Sequence, residues 1–173
     1  RARGAREFVW FRRHQCLGGL CARVRGRPLV NIEDIPFNRL IGLQREPAGG
    51  EFAVSLPADA CYHNHLGVAH AAAQLAVAEA ASGDWMLRNF GDHAEEFIAV
   101  VRRMETKFKH PARGKIFGKA VVGAAVRAQL AADLATKRAW FFSLGVEVFD
   151  ETGAHTLTGS VEWFVTRRPV AGA

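Results

Sequence analysis

Residues 59–83 constrain the fold of this chain more than any other stretch. They begin with polar, turn-prone residues and continue as an almost wholly apolar run from Val68 to Ala81. This run is dominated by alanine, the strongest helix former. A helix that is apolar on nearly every face is normally buried within its domain. The sequence therefore predicts a central helix over residues 68–81, with the other elements packed around it.

A single carboxylate, Glu79, interrupts the predicted helix near its end. Burial of an unpaired charge is costly, so a carboxylate in such a helix is uncommon. Burial also raises the pKa of a carboxyl group toward neutral pH, which suits proton transfer. We therefore interpret Glu79 as a candidate general base or nucleophile. The alternative is a structural glutamate paired with a buried arginine or a hydroxyl group.

The basic charge of the chain is concentrated at one end. The 173 residues carry a net charge of +6, yet residues 1–28 alone hold eight arginines and one glutamate, and the remainder is nearly neutral. We interpret residues 1–28 as a basic arm that is either poorly ordered or extraneous, and residues 29–173 as one domain. Basic and aromatic groups are not interleaved over the domain, so no nucleic-acid partner is predicted. No apolar run is long enough to cross a membrane.

The cysteines indicate the compartment. Cys16, Cys21 and Cys61 show neither a metal-ligand spacing nor a disulfide framework. We interpret them as reduced thiols of a cytoplasmic protein that holds no metal and needs no cofactor.

The remaining patterns predict five strands and further helical segments. A short helix follows Ile35 and ends at Gly42, and residues 84–92 are a polar connection or a continuation of the central helix. The predicted strands cover residues 51–56, 97–109, 115–126, 138–149 and 155–166, and a helix covers residues 128–136. Because most connections between the strands are short, neighbouring strands are expected to be antiparallel. The sequence thus predicts an α+β fold, with an antiparallel sheet curled around the long helix.

The chain resembles the hot-dog fold superfamily, and within it the thioesterases related to the phenylacetate-pathway acyl-CoA thioesterases. The resemblance rests on Asn64, His70, the small residues Ala71 and Ala72, and Glu79. The turn KHPARGK, residues 109–115, is also similar to a turn between strands in that family. The resemblance covers roughly residues 35–168. It implies a hot-dog fold and the hydrolysis of an acyl thioester.

The start of the central helix is the expected oxyanion site. Helix N-termini have free N–H groups and the positive end of the helix dipole, which suits a carbonyl oxygen gaining negative charge. We expect the backbone N–H groups of His70 and Ala71 to fill this role. The family has Gly-Gly where this chain has Ala71-Ala72, which adds a methyl group near the substrate. His70 is given a positioning role rather than that of general base, and the alternative is a histidine that satisfies hydrogen bonds at the helix start.

Asn64 is expected to orient the thioester carbonyl or the attacking water. The alternative for Asn64 is a turn residue or a helix cap. His65 and Gly67, in the same loop, are further candidate substrate-binding residues.

The carrier of the acyl group, coenzyme A or acyl carrier protein, is expected to contact a basic turn. The residues concerned are Lys107, Lys109, Arg113 and Lys115, in a region that resembles the carrier-contacting part of the family. The alternative is a solvated basic turn.

His70 and Glu79 are nine positions apart. In a helix this spacing places them on opposite sides and separates them by about 13 Å along the axis. One chain therefore cannot easily bring both to one site. The spacing predicts a homodimer, which could pair into a tetramer, with Glu79 of one chain facing the partner's Asn64 and the partner's Ala71.

Two other functions remain open. One is a hot-dog dehydratase of β-hydroxyacyl chains that uses His65 with Glu79, although the Pro-Gly step of those enzymes is absent. The other is a non-catalytic acyl-binding protein, which the replacement of Gly-Gly by Ala71-Ala72 favours.

Overall fold

The structure, a computed structural model, describes residues 31–169. The predicted basic arm, residues 1–28, lies outside the described residues. The helices are α1 (Pro36–Leu40), α2 (Ala71–Phe90) and α3 (Ala124–Thr136), and short 3₁₀ segments occur at Ile32–Asp34, Ala60–Tyr62 and Gly91–Glu96. The strands are β1 (Gln44–Arg45), β2 (Val54–Leu56), β3 (Phe97–Phe108), β4 (Ile116–Val121), β5 (Ala139–Asp150) and β6 (His155–Arg167).

The six strands form one antiparallel sheet in the order β1-β2-β4-β5-β6-β3. The three longest strands pair along almost their whole length, with Phe97 opposite Arg167 at one end of β3 and Phe108 opposite Leu157 at the other. Helix α2 packs against β2, β4 and β5 on one face of this sheet. The predicted antiparallel sheet around a long helix, the hot-dog arrangement, is confirmed.

Helix α2 lies unusually close to β4 because small residues face each other across the contact. Val77, Ala78 and Ala81 of α2 are completely buried. Opposite them, a Cβ atom on Gly118 would lie 2.7 Å from Val77 Cγ1 and 2.9 Å from the Val77 carbonyl oxygen. Only a glycine in β4 permits this approach. The alanine content that predicts the helix also sets its distance from the sheet.

The bounds of α2 differ from the predicted range of 68–81. The helix begins three residues later because Ala69 is extended, pairs with His63 in an isolated antiparallel bridge, and donates its N–H to the Ala112 carbonyl over 2.9 Å. It ends nine residues later, at Phe90, where Gly91 adopts a positive φ of 53°. Of the two alternatives for residues 84–92, helical continuation is correct as far as Phe90.

The buried carboxylate of α2 is Asp84, whereas Glu79 is exposed. The Asp84 carboxylate is fully buried and lies 2.7 Å from Arg45 Nε and 2.5 Å from Arg88 Nε. Two arginines thus compensate the charge, as a buried acid requires. The prediction that the apolar helix buries Glu79 as it buries Asp84 is wrong. The sheet covers only one side of α2, and Glu79 lies on a different side of the helix.

Two strand predictions also need correction. The predicted strand 115–126 ends at Val121, because Gly123 is extended and caps α3. Helix α3 is confirmed, but begins at Ala124, four residues before the predicted start. The predicted strand 51–56 shortens to β2, and β1 was not predicted.

The close contact at Gly118 leads to a stability prediction. Gly118→Ala forces a methyl group into the Val77 side chain and backbone, and we expect the free energy of unfolding to fall by about 1–3 kcal/mol. Gly123→Ala is the matched control, because a Cβ there meets nothing within 4 Å and only the capping preference changes. Urea unfolding of both variants measures the difference. Equal losses in the two variants would contradict the close-packing account.

Candidate functional site

The loop before α2 is held by Asn64. The Asn64 Oδ1 accepts hydrogen bonds from the N–H groups of Leu66 (2.9 Å) and Val68 (3.4 Å), and the Asn64 N–H donates to the Val68 carbonyl over 2.9 Å. Gly67 closes the turn with a φ of 70°, which favours glycine. Asn64 is therefore a turn residue, as the alternative interpretation stated.

The turn also fixes what Asn64 can offer to a ligand. Backbone N–H groups need an acceptor, so the side-chain oxygen must face the loop and the amide nitrogen must face away from it. The Asn64 Nδ2 has no hydrogen-bond acceptor among residues 31–169. A half-buried donor of fixed orientation thus stands beside the start of α2.

His70 caps α2. Its Nδ1 accepts the Ala72 N–H over 3.0 Å, which is the usual task of an N-cap side chain. Its own backbone N–H donates to the Tyr62 carbonyl over 2.7 Å. This N–H is therefore occupied, and the prediction that it stabilises an oxyanion needs correction. The cap is the alternative interpretation of His70, a histidine that satisfies a hydrogen bond at the helix start, and a positioning role toward substrate stays a prediction.

The Ala71 N–H is open. Ala71 is the first residue of α2, and its N–H donates no hydrogen bond to any of the described residues. The neighbouring Ala73 and Gln74 N–H groups both donate to the His70 carbonyl. The positive end of the helix dipole adds to the attraction of this N–H for an anionic oxygen. Of the two predicted oxyanion donors, Ala71 alone is available.

Glu79 lies eight residues beyond Ala71, which is about 12 Å along the helix axis. His70 precedes α2 and has an extended backbone, so the predicted placement of His70 and Glu79 on opposite sides of one helix does not apply. The separation along the helix axis remains. A chain of hydrogen bonds fixes this turn of the helix: Trp163 Nε1 donates to Ser82 Oγ, and the Ser82 hydroxyl donates to the Glu79 carbonyl. The backbone of Glu79 is thereby tied to β6.

Glu79 borders a cleft of about 290 Å³ beside α2. The cleft runs across the inner faces of β6 and β3, and its lining is largely apolar, including Met86, Phe90, Phe97 and Trp163. No ion pair involves Glu79 within residues 31–169, so the alternative of a glutamate paired with arginine is not seen. Although Glu79 is exposed, the apolar lining of the cleft partly desolvates its carboxyl group, and this raises the pKa of Glu79 above its ordinary value.

The predicted basic cluster does not act as one group. Lys115 Nζ donates to Glu46 Oε1 over 3.0 Å and lies 4.8 Å from the centre of the Phe117 ring. Lys109 Nζ lies 3.1 Å from His155 Nδ1. Lys107 and Arg113 are exposed and make no side-chain ion pair within the described part of the chain. Lys115 therefore has an internal role.

Arg113 directly follows a residue that contacts the loop before α2. The preceding Ala112 is fully buried, and its carbonyl accepts the Ala69 N–H. The Arg113 N–H donates to the buried Asp150 carboxylate over 3.0 Å. These bonds join the 110–114 turn to the loop on one side and to the β5–β6 hairpin on the other.

Three residues that support the site were not singled out from the sequence. The Tyr62 carbonyl accepts the His70 N–H, and the Tyr62 hydroxyl donates to the Ile41 carbonyl. The Asp150 carboxylate accepts the Arg113 N–H. The Ser82 hydroxyl donates to the Glu79 carbonyl. Each acts through a contact between residues distant in sequence, which spacing alone does not reveal. His65, a predicted substrate-binding residue, is exposed in the loop.

Over residues 31–169, no three His, Cys, Asp or Glu side chains are close enough together to hold a metal ion. In the same range, no helix has the length and apolar character needed to span a bilayer.

Comparison with known families and solved structures gives one family match. Residues 35–165 match the family model described as "Domain of unknown function (DUF4442)". No curated protein matches the sequence.

Several solved structures share the hot-dog fold. A Pseudomonas aeruginosa protein of unknown function, called a probable thioesterase, is 25% identical with a TM-score of 0.65, and the match covers 79% of this chain and 91% of that chain. A Bacillus halodurans protein solved with CoA is 18% identical with a TM-score of 0.56, covering 75% and 74%.

A thioesterase enzyme from Staphylococcus aureus is 12% identical with a TM-score of 0.55, and the match covers 75% of this chain and 98% of that chain. Two structures of that protein carry single alanine substitutions, one of a glutamine and one of a glutamate 15 positions later. Asn64 and Glu79 have the same separation in this chain.

The raised pKa of Glu79 has a consequence for stability. Because the folded state binds this proton more tightly than the unfolded chain, the favourable contribution is complete below the unfolded pKa and is lost as pH rises through the folded pKa. Glu79→Gln removes the titration. We therefore expect the variant to gain stability relative to the wild type as pH rises from acid to neutral. Urea unfolding at several pH values checks this, and a difference that is constant with pH would contradict it.

Proposed function

The chain belongs to the DUF4442 family, and on this premise we propose that it hydrolyses acyl thioesters at a site shared between two copies of the chain. The proposal rests chiefly on the open Ala71 N–H at the start of α2. Such a donor, held by a capped helix, suits the oxyanion of a thioester under attack. The 25% identity to a probable thioesterase over most of both chains adds support.

The proposed site divides the chemistry among three groups. The Ala71 N–H binds the carbonyl oxygen, and the Asn64 Nδ2 donates to that oxygen or orients the attacking water. Glu79 acts as general base or nucleophile. Asn64 and Glu79 are 15 positions apart, the same separation as the two altered positions of the Staphylococcus aureus protein, and this equal spacing supports the assignment of the two roles.

As a general base, Glu79 removes a proton from water while the hydroxide forms a bond to the thioester carbon. The Ala71 N–H stabilises the resulting oxyanion. When the C–S bond breaks, the leaving thiolate takes the proton back from Glu79, and the products are a carboxylic acid and a free thiol. A raised carboxyl pKa brings the base closer to the operating pH, which favours this transfer.

A second copy of the chain would complete the site. Strand β3 lies at the edge of the sheet and is 12 residues long, and a long open edge is normally paired or covered. Pairing β3 with the partner's copy about a two-fold axis would extend the sheet and place two α2 helices on the same side. The cleft at Glu79 runs over β6 and β3 toward this edge, so Glu79 would face the partner.

The carrier is proposed to be coenzyme A, or alternatively acyl carrier protein. Both bring phosphate groups, and exposed Lys107 and Arg113 are the basic residues of the predicted cluster that are not engaged with other side chains of the described chain. The CoA bound to the related Bacillus halodurans structure favours the first carrier.

Removal of a single N–H group tests the oxyanion role. Proline is well tolerated as the first residue of a helix, and His70 already has the extended backbone that a following proline requires, with φ −60° and ψ 146°. In a thiol-release assay over acyl-CoA chain lengths, we expect Ala71→Pro to lower kcat by roughly 100- to 1,000-fold. Glu79→Gln should be similarly impaired.

Ala124→Pro is the matched control, because Ala124 is the first residue of α3 and follows an extended Gly123. It should retain wild-type activity. Full activity of Ala71→Pro would contradict the oxyanion role. Hydration of enoyl-CoA without thiol release would instead indicate a dehydratase, and acyl-CoA binding without any turnover an acyl-binding protein.

Mixed dimers test the shared site. Ala71→Pro and Glu79→Gln each remove one half of every site, so each pure variant is inactive. If the halves come from different chains, a mixed dimer has one intact site, and random reassortment of equal amounts should restore about a quarter of wild-type activity. Mixing after mild dissociation, followed by the thiol-release assay, measures this.

Two controls show that any recovered activity comes from mixed dimers. Each variant reassorted with itself should stay inactive, and wild type treated in the same way should recover fully. If the mixture stays inactive although the chains exchange, Ala71 and Glu79 serve one site within one chain, and the shared site is wrong.

A further inference from the structure

Asn38 is a buried polar residue in the otherwise apolar wall of the Glu79 cleft. It lies on α1 and is only 7% exposed. Its Nδ2 donates to the Ile32 carbonyl over 2.9 Å, and its own carbonyl accepts the Leu43 N–H over 2.9 Å. These bonds hold α1 against the preceding 3₁₀ segment and fix the direction of the side-chain amide.

The oxygen of this amide, Asn38 Oδ1, accepts no hydrogen bond within the described part of the chain. Because Nδ2 must face the Ile32 carbonyl, the amide cannot be flipped. No residue from 31 to 169 donates a hydrogen bond to Oδ1. An acceptor that takes no hydrogen bond from the described residues is free to accept one from a ligand. A ligand that supplies a donor at this point would therefore be recognised.

Asn38 and Glu79 line the same cleft, with Ile32 and Gly83 between them. Ile32, to which Asn38 is bonded, packs over Gly83, where a Cβ atom would lie 3.3 Å from Ile32 Cδ1. Gly83 is four residues after Glu79, which is about 6 Å along the helix axis. An acyl chain that extends from Glu79 past Gly83 would bring its distal carbons beside Asn38.

We propose that Asn38 Oδ1 selects acyl chains that carry a hydroxyl group remote from the thioester. This inference rests on the proposed thioesterase function and names its substrate class. The remote hydroxyl donates to Asn38 Oδ1, while the carbon chain contacts the apolar lining. A β-hydroxyl lies too close to the carbonyl to reach this acceptor.

Arg168 offers the competing polar contact in the cleft. It follows β6, lines the cleft, and is exposed, with its backbone N–H donating to the Glu96 carbonyl. Recognition by Arg168 would favour a terminal carboxylate in place of a hydroxyl group. Asn38 is favoured because it is buried and held in place, so a hydrogen bond to it is shielded from water.

The test compares four CoA thioesters with acyl chains of six carbons. They are hexanoyl-CoA, its terminally hydroxylated analogue, its β-hydroxylated analogue, and adipoyl-CoA, which carries a terminal carboxylate. We expect the terminal hydroxyl to raise kcat/KM over hexanoyl-CoA by roughly three- to tenfold, as a net neutral hydrogen bond does. Equal values, or a preference for the β-hydroxyl or the carboxylate, would overturn the inference.

Asn38→Leu removes the acceptor and should bring the ratio of kcat/KM for the terminally hydroxylated substrate over hexanoyl-CoA to about one. Asn89→Leu is the matched control, because the Asn89 Nδ2 donates to the Trp85 carbonyl over 2.7 Å outside this cleft. It should keep the preference. If Asn38→Leu is poorly folded, the ranking of the four substrates by the wild type still decides.

Binding separates this inference from the proposed function. Titration of Glu79→Gln with hexanoyl-CoA and its terminally hydroxylated analogue measures the two Kd values without turnover, and we expect the same three- to tenfold preference. If the wild type hydrolyses none of the thioesters but this preference holds, the hydrolase proposal fails and the role of Asn38 stands. Equal Kd values would refute the role of Asn38 whatever the activity.

Discussion

The close contact between α2 and β4 is the constraint on which the rest of the structure depends. Gly118 leaves no side chain between the strand and Val77, and the alanines of α2 let the helix lie directly on the sheet. A helix held this closely has a fixed rotation about its axis, because interiors are packed densely and tolerate little displacement. The buried ion pairs of Asp84 with Arg45 and Arg88 fix the same rotation near its other end.

This rotation decides which polar residues of α2 are available. Asp84 turns inward and is neutralised, whereas Glu79 turns toward the cleft over β6 and β3, and its carboxylate makes no ion pair within residues 31–169. The N-terminus of α2 is fixed independently by the His70 cap and by the bond from the His70 N–H to Tyr62. The Ala71 N–H and Glu79 are thus held at fixed positions that are separated along one helix, which is the separation that the proposed shared site addresses.

The sequence predicts the fold better than the site. The alanine-rich run and the alternating strands predicted a long helix and an antiparallel sheet, because these periodicities are local. The sequence could not show which side of an all-apolar helix the sheet covers, so burial was assigned to Glu79 when it belongs to Asp84. Nor could it show that the His70 N–H is occupied by Tyr62, or that Lys115 is paired with Glu46, since both contacts join residues distant in sequence.

Alanine in place of the Gly-Gly of similar thioesterases is compatible with the proposed chemistry. Ala71 and Ala72 are the first two residues of a regular helix, where no positive φ requires glycine. Both are exposed, so their methyl groups displace nothing in the core. The backbone N–H of Ala71 is the same donor that glycine provides, and alanine loses less backbone entropy than glycine when the helix forms. The substitution therefore stabilises the helix start that holds the donor, and its effect falls on the space left for the acyl group.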